Sequence, residues 1–176
     1  MIAEEFRVVA VVYVAVLAPL IIYFLNKHKI PDWVPSFYIV GVIVCSLGWE
    51  LWFTYGWIDG DPVDSRRSEV LNNWLPKNIN WLLNSMADAG TVLIGGVWLM
   101  WISHKKNSKV FTQWNWSAFC ILMIWCIGQN ILVEMFLYHD QLAEGKPLSW
   151  APLSPFGSYF NPCLLYTSPS PRDVEE

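Results

Sequence analysis

Three carboxylic acids lie inside long apolar stretches of this sequence, where a charged side chain is costly. Glu50 occurs in CSLGWELWFTYGW, Asp88 in NINWLLNSMADAG and Glu134 in WCIGQNILVEMFLYHD. An ionisable residue at the centre of a bilayer costs at least about 2.5 kcal/mol on insertion scales, so three of them are expected to serve a purpose. A carboxyl group held protonated in apolar surroundings can donate a proton as a general acid, and a second one can accept it. We therefore take Glu50, Asp88 and Glu134 as the candidate catalytic residues.

Each acid belongs to a stripe of polar residues at helical spacing. Residues three or four positions apart lie on one face of a helix, and all three stripes have this spacing. The stripes comprise Ser46, Glu50 and Thr54, then Asn80, Asn84, Asp88 and Thr91, and finally Asn130, Glu134 and Tyr138. Lipid cannot satisfy such side chains, so we expect them to face one interior pocket, which Asn84 and Asn130 also line. The alternatives are polar contacts that hold helices together and, for the acids, a proton relay.

The apolar stretches that carry these residues are long enough to cross a membrane, which takes about 20 residues in a helix. We predict spans at residues 6–25, 37–57, 78–103 and 118–138, and a fifth apolar segment that begins near Leu148. The predicted fold class is all-α, a polytopic membrane helix bundle with about four complete transmembrane helices and a truncated fifth. The polar loop between the second and third spans, which contains Arg66 and Arg67, is interpreted as a solvated, salt-bridged connection. A lid over the pocket is the alternative for this loop.

The composition is typical of a membrane protein and excludes several other classes. Hydrophobic residues make up 55% of the 176 residues, 12 residues are Trp, and only 15% are charged, against about 25% in soluble domains. The net charge of −4 and the lack of a basic run give no indication of nucleic acid binding. We predict no metal site, no cofactor and no disulfide framework, and the sequence has no P-loop, dinucleotide or nucleophile motif.

Two groups of basic residues are expected on opposite sides of the membrane. The first group comprises Lys27, Lys29, Lys105, Lys106 and Lys109, and the second comprises Arg7, Arg66, Arg67, Lys77 and Lys146. The two groups nearly balance, but the first is clustered tightly against the helix ends. We therefore expect the side of the first group to be cytoplasmic.

The last residues are expected to have a different origin from the rest of the chain. The string CLLYTSPSPRD, residues 163–173, corresponds to one reading frame of a common transposon-type sequencing adaptor. A Pro/Ser-rich disordered tail is the alternative. We predict that residues 1–162 form a single transmembrane helical domain and that residues 163–176 have no natural counterpart.

The order of these motifs resembles that of the EXPERA-domain membrane proteins, which include the emopamil-binding sterol isomerases and the relatives of the sigma-2 receptor. The second helix of that family carries a Glu, matched by Glu50, and the third carries an acid before a small-residue turn, similar to Asp88 and Gly95. The fourth helix carries a Gly-Gln pair, present here as Gly128 and Gln129. The later motif of the family is matched by Pro147, Leu148, Trp150 and Asn161.

This resemblance implies four or five membrane helices around a lipid-facing pocket and acid chemistry on a sterol. The stretch LGWELWFTYG is also similar to the Trp-Glu helix of fungal membrane-bound terpene cyclases. Such chemistry protonates a carbon–carbon double bond, and the faces of Trp49 and Trp52 are available to stabilise the carbocation. Asn161 would orient the substrate hydroxyl or the acid. The chain departs from the sterol isomerases at Ser46, where they have a His, so the identity of the reaction stays open.

Together these features predict a membrane-embedded isomerase or cyclase that acts on a sterol or other isoprenoid lipid. The expected partners are a hydrophobic, lipid-like small molecule and membrane lipids, with a second copy of the chain or another membrane protein as further candidates. The endoplasmic reticulum is the candidate compartment. The alternatives are a non-enzymatic lipid-binding protein, an accessory subunit of a membrane complex and a proton-coupled transporter. An enzyme requires acids that converge on an apolar cavity, whereas a subunit requires acids that face a partner.

Overall fold

The structure is a computed structural model that describes residues 1–56, 62–65 and 67–132. All regular elements in these ranges are helices, which confirms the all-helical class. Three helical runs are long and apolar enough to cross a membrane: Glu5–Asn26, Val34–Tyr55 and Lys77–Ser103, with 22, 22 and 27 residues. They largely overlap the first three spans that hydropathy predicts, so the described helices are compatible with an integral membrane protein.

Apolar side chains cover the outside of these helices, and polar side chains lie between them. Large residues on α1 (Ala3–Asn26) and α2 (Val34–Leu47) are more than half exposed, among them Leu17, Phe24 and Val44. The buried polar residues in the spans are Ser46, Glu50, Thr54, Asn80, Asn84 and Ser85. This is the reverse of a water-soluble bundle, and it is the arrangement expected in lipid, which is as apolar as the side chains that face it.

The second span consists of two helices, α2 and α3 (Trp49–Tyr55), separated at Gly48. Gly48 has φ −95° and ψ −112°, outside the helical region, although its N–H still donates to the Val44 carbonyl at 2.9 Å. A Cβ at this position would lie 2.7 Å from the Val44 oxygen, so another residue would have to shift the backbone. The indole N–H of Trp81 donates to the Ser46 carbonyl at 2.7 Å and thereby satisfies a backbone group next to the break.

The third span changes helix type near its middle. It consists of α5 (Lys77–Ala89), a π-helical segment (Gly90–Gly95) and α6 (Gly96–Ser103). π-Helical turns are rare and frequently occur at functional sites. The Trp125 indole N–H donates to the Thr91 carbonyl at 2.7 Å, so the later helix Trp116–Leu132 is bonded to this segment.

The last described helix, α7 (Trp116–Leu132), is apolar and packs against α6. A Cβ on Gly96 would lie 2.5 Å from Leu122 Cδ1, which shows how closely the two helices approach each other. The predicted fourth span begins in α7, but residues 133–138 lie outside the described residues. The fifth apolar segment near Leu148 and the tail at 163–176 also lie outside them. A bundle of four or five spans therefore stays a prediction.

The segment between the second and third spans is folded, which corrects the prediction of a solvated connection. We call residues 62–65 and 67–76 the cap; it contains a 3₁₀ turn, Val63–Ser65, and α4, Glu69–Trp74. The Ser68 hydroxyl accepts a hydrogen bond from the Leu71 N–H at 3.3 Å and donates to Glu5 Oε1 at 2.6 Å. One apolar cluster joins the cap to α1 and comprises Val8, Val9, Val12, Leu71 and Leu75. Burial of these leucines holds the cap on the start of α1.

The connections at the other end of the bundle pack together as well. A second apolar cluster comprises Ile30, Val34, Ile94 and Val97, with Phe111 packed against it. The cap and the start of α1 therefore lie at one end of the spans, and residues 27–33 and 104–115 lie at the other. The two groups of basic residues were predicted to lie on opposite sides of the membrane. The members of each group that the structure describes lie at opposite ends of the spans.

Candidate functional site

Glu50 is the most deeply buried acid among the described residues, with 4% of its surface exposed. It lies in the first turn of α3, directly after the interruption at Gly48. Ser46, one turn before it, and Thr54, one turn after it, are buried as well. The polar stripe predicted for the second span therefore faces the protein interior and not the lipid, and it does so on both sides of the helix break.

The contacts between α3 and α5 indicate which residues of α5 lie at the same height in the bundle as Glu50. The Tyr55 hydroxyl donates to Asn78 Oδ1 at 2.8 Å, and the Tyr55 ring packs on Trp81 with the centroids 6.3 Å apart. The end of α3 therefore lies beside the first turns of α5. The two helices belong to consecutive, antiparallel spans, and each rises about 1.5 Å per residue. By this rise Glu50, five residues before Tyr55, lies near the level of residues 83–86, a range that includes Asn84.

Asn84 and Thr54 each have a buried polar atom that lacks a hydrogen-bond partner within the described residues, in the contact between α5 and α3, which we call the seam. The two atoms are Asn84 Oδ1, on a side chain that is 7% exposed, and Thr54 Oγ1, on one that is fully buried. Comparable atoms occur elsewhere in the bundle, at the Tyr38 hydroxyl and the Trp101 indole. By contrast, the buried Ser85 hydroxyl donates to the Trp81 carbonyl of its own helix at 2.7 Å. A hydroxyl in this part of α5 can therefore be satisfied by the backbone, whereas Thr54 is not.

Asp88 lies one turn after Asn84 and directly before the π-helical segment. Its side chain is accessible, yet protein atoms crowd around it on most sides. The carboxyl groups of Asp88 and Glu50 both lie close enough to the Cys45 sulfur to act on it electrostatically. The two acids are thus near the same point of α2.

Arg67 is buried, which corrects its interpretation as part of a solvated loop. Its side chain is 5% exposed and donates from Nε to Asn72 Oδ1 at 2.7 Å and from Nη1 to Asn80 Oδ1 at 3.1 Å. Nη2 donates to the Leu75 carbonyl. The planar guanidinium group presents its donors in a fixed fork, and here oxygens of the cap and of α5 meet that fork. Arg67 therefore fastens the cap over the end of the seam between α3 and α5. Arg66 lies outside the described residues.

A second, more exposed ion pair fixes the edge of the cap. Lys77 Nζ lies 2.8 Å from Asp64 Oδ2, and the Asn72 side chain donates to the Asp64 carbonyl at 2.7 Å. The hydrogen bond from the Lys77 ammonium lowers the pKa of the Asp64 carboxyl group below its ordinary value. Lys77 also lies 5.9 Å from the centre of the Tyr55 ring. Sequence reasoning treated these residues as loop charges, although Asp64 and Lys77 are 13 positions apart and meet only in the folded chain.

The aromatic residues proposed to stabilise a cation are placed differently from one another. Trp49 is half-buried and adjacent to Glu50 in α3. Trp81, which lies within the third span, is engaged in the hydrogen bond to Ser46 that bridges the helix break. Trp52 also lies in α3, but only its backbone is described. Trp49 thus directly precedes the buried acid along the chain.

The other predicted site residues lie outside the described residues or have side chains that are not described. Glu134 and Asn161 lie outside the described residues, and of Asn130 only the backbone is described, within α7. The convergence of all three acids on one pocket therefore stays a prediction. No group of three or more His, Cys, Asp or Glu side chains within the described ranges is arranged to hold a metal ion. Cys45, Cys120 and Cys126 are free thiols.

Comparison with known proteins identifies no relative: no family model matches the chain, and no curated protein sequence or solved structure is significantly similar to it. The functional interpretation consequently depends on the geometry described above.

Proposed function

We propose that the protein is a membrane-embedded isomerase or cyclase that uses buried carboxylic acids on a sterol or other isoprenoid lipid. Glu50 carries this proposal, because it is an acid buried within an apolar span, beside a helix break and near the level of Asn84. Charged residues and broken helices are both costly in lipid, and both mark substrate sites in membrane proteins. The resemblance of Glu50 and its surroundings to EXPERA-domain proteins supports the same chemistry and makes the endoplasmic reticulum the proposed compartment.

In the proposed isomerisation, the protonated Glu50 carboxyl group transfers its proton to one carbon of a substrate double bond. The other carbon of that bond becomes a carbocation. Asp88, as a carboxylate, then removes a proton from an adjacent carbon, so that the double bond forms one position away. In a cyclisation, a second double bond of the substrate attacks the cation before the proton leaves. The substrate keeps its composition in both reactions, and one proton passes from Glu50 to Asp88.

The surroundings of Glu50 suit this reaction. The face of an aromatic ring stabilises a cation by about 0.5–2 kcal/mol, and Trp49 is adjacent to the acid in α3. Trp52 is proposed to act in the same way. Exclusion of water protects a carbocation from capture, and the cap, fastened by Arg67, closes this end of the seam. Glu134, Asn130 and Asn161 are proposed to complete the pocket.

The test is complementation of a host that lacks its own sterol isomerase, with its sterols and other isoprenoids measured by mass spectrometry. We expect the wild-type chain, in its full natural length, to change the lipid profile. Glu50→Gln keeps the size of the side chain and removes its acid function, so product formation should fall about 10²- to 10⁴-fold. Glu69→Gln, which removes an exposed acid from α4, is the matched control and should keep the wild-type activity.

Two outcomes of this experiment would contradict the proposal. If the wild-type chain leaves every sterol and isoprenoid unchanged, the protein is not an isomerase or cyclase of these lipids. If Glu50→Gln is as active as wild type, the assigned role of Glu50 is wrong. The amount of each variant in the membrane fraction must be equal for either conclusion.

A second candidate is a lipid-binding protein or an accessory subunit of a membrane complex. The accessible side chain of Asp88 favours this candidate, because an acid within a span requires polar groups around it. A second membrane protein or another copy of this chain would supply them. A proton-coupled transporter would use the same acids as a relay. In the subunit case, Asp88→Asn should dissociate the complex on native gels, whereas in the enzyme case it should lower product formation and leave the assembly intact.

A further inference from the structure

The two buried atoms without partners in the seam between α3 and α5 are complementary in kind. Asn84 Oδ1 is a hydrogen-bond acceptor, and the Thr54 hydroxyl is a donor that has no acceptor among the described residues. Buried polar atoms are nearly always paired in folded proteins, so each unpaired atom requires an explanation. Both side chains are more than nine-tenths buried, so bulk water does not supply the missing bonds.

A single hydroxyl group can pair with both atoms. It donates its proton to Asn84 Oδ1 and accepts one from Thr54 Oγ1. Two hydrogen bonds of about 2.8 Å that share one hydroxyl oxygen meet at close to the tetrahedral angle, so they join atoms about 4.5 Å apart. Thr54 lies one turn from Glu50, and the helical rise puts Asn84 near the level of Glu50, so Thr54 and Asn84 are offset by about one turn along the seam.

We propose that Asn84 and Thr54 bind the hydroxyl group of a membrane-soluble alcohol, which lies in the seam beside Glu50. The ligand class is a lipid alcohol, because the site lies within apolar spans, and its isoprenoid or steroid skeleton follows from the proposed function. The ligand is the substrate of the proposed function in our interpretation, but the binding site is tested without any reaction. Its hydroxyl anchors one end of the molecule, and the double bond to be protonated lies within reach of the Glu50 carboxyl group.

Binding of alcohols and their methyl ethers to the detergent-purified chain tests this site. The probes are geranylgeraniol and cholesterol, each compared with its own methyl ether. An ether oxygen still accepts from Thr54 but has no proton to donate to Asn84. We therefore expect the alcohol of the preferred skeleton to bind at least about tenfold more tightly than its ether. The comparison of the two alcohols distinguishes a linear isoprenoid from a sterol.

Two substitutions separate the roles of the two side chains. Asn84→Leu removes the acceptor, so the affinity ratio of alcohol to ether should fall to about one. Thr54→Val removes the donor, so the affinities for alcohol and ether should both fall by a similar factor. Ser85→Ala is the control, because it removes a buried hydroxyl that its own helix already satisfies, and it should leave both affinities unchanged.

The thermal stability of the ligand-free protein distinguishes a ligand site from a structural contact. Removal of an atom that has no partner in the ligand-free protein costs nothing, so Thr54→Val should have an unchanged or higher Tm. A clear fall in Tm, with the alcohol binding unchanged, would show that Thr54 is bonded within the protein or to a fixed water, and would overturn the proposal. If Asn84→Leu does not fold, Thr54→Val and the wild-type ratio of alcohol to ether decide the question.

The binding site and the proposed function can fail separately. Equal binding of alcohol and ether by the wild-type protein, or binding of neither, overturns the hydroxyl site even if the protein isomerises a hydrocarbon. A clear preference for the alcohol without any product in the lipid analysis supports the hydroxyl site and contradicts the enzyme. Glu50→Gln should keep the alcohol preference, because it alters the proposed proton donor and neither of the two hydrogen-bonding side chains.

Discussion

Arg67 holds together the cap, a segment that we predicted from the sequence to be a solvated loop. Its guanidinium group joins Asn72 and Leu75 of the cap to Asn80 of α5. Asn80 is 2% exposed, so its side-chain oxygen, Oδ1, depends on Arg67 for its hydrogen bond. A buried acceptor that loses its donor costs more than the hydrogen bond contributed, because water cannot replace the donor.

Replacement of Arg67 should therefore destabilise the protein strongly. We expect Arg67→Met to lower the free energy of unfolding by about 2–4 kcal/mol, because several bonds from a charged donor are lost together. Arg67→Lys should recover only part of this, since one ammonium group cannot reproduce the planar fork. Lys29→Met, at an exposed position, is the control and should change stability by less than about 0.5 kcal/mol. Thermal unfolding in detergent measures all three; equal stability of Arg67→Met and wild type would contradict the assignment.

The pair formed by Asp64 and Lys77 should make stability depend on pH at the cap. The pKa of Asp64 is lowered in the folded protein, chiefly by the hydrogen bond from Lys77, and the ordinary value for an unfolded aspartate is about 3.9. The folded state thus binds the proton less readily, so the pair stabilises it above about pH 4 and loses this effect as the pH falls through the folded value. Wild type should be more stable than Asp64→Asn at pH 7, and the difference should disappear near pH 2.

The size of this effect is limited by solvent, because both side chains are about one-third exposed. Salt at 1 M should reduce the difference at pH 7 for the same reason. Asp32→Asn, in the exposed connection at the opposite end, controls for a general effect of removing an acid. A difference between wild type and Asp64→Asn that is the same at pH 7 and pH 2 would show that charge does not hold this edge of the cap.

Sequence reasoning at the residue scale identified the side chains that are costly in lipid but not their partners. Glu50 and Asn84 could be predicted as interior residues, because an acid or amide in an apolar run at helical spacing must avoid lipid. Arg67 could not, because its bonds reach residues 5, 8 and 13 positions away, in directions set by the folding of the cap. The charges around it suggested a solvated loop, and the leucines that bury it, Leu71 and Leu75, carried too weak a pattern to contradict that.

At the scale of elements, the spans are predictable and their interruptions are not. Hydropathy locates the helices because crossing a membrane takes a fixed length of apolar chain. It does not indicate the break at Gly48 or the π-helical segment Gly90–Gly95, since both depend on neighbours that hold irregular backbone in place. Trp81 and Trp125 are such neighbours, and each donates its indole N–H to a main-chain carbonyl near an interruption. Two of the 12 tryptophans thus have a backbone-supporting role that their abundance in the sequence conceals.

The contact between α6 and α7 provides a test at this scale. Gly96→Val should destabilise the protein by about 1–3 kcal/mol, because a Cβ there would lie 2.5 Å from Leu122 Cδ1 and the Leu122 side chain would have to leave its position. Gly128→Val is the matched control, since a Cβ there meets nothing within 4 Å. Unfolding in detergent should show a loss for Gly96→Val alone. Equal losses for both variants would indicate that the cost comes from valine in a helix and not from the contact.

At the scale of the whole molecule, the described helices separate two ends that should lie on opposite sides of a membrane. The bond from Ser68 to Glu5 and the cluster of Leu71 with α1 bring the cap to the start of the first span. The connections at 27–33 and 104–115 meet at the other end through Ile30 and Phe111. Three candidate spans with these ends in common are compatible with a chain that crosses the bilayer at each of them.

Cysteine labelling in sealed vesicles would test this topology. Cys45, Cys120, Cys126 and Cys163 are first replaced by alanine, and one new cysteine is then introduced at the exposed Ser65 of the cap or the exposed Ser108 at the opposite end. Clustered lysines favour a cytoplasmic location, and Lys105, Lys106 and Lys109 flank Ser108. In cells, a membrane-impermeant maleimide should therefore label Ser65→Cys from the non-cytoplasmic side and Ser108→Cys only from the cytoplasmic side. Labelling of both from the same side would mean that the run Lys77–Ser103 does not cross the bilayer, and labelling in the reverse pattern would show that the lysine-rich end faces away from the cytoplasm.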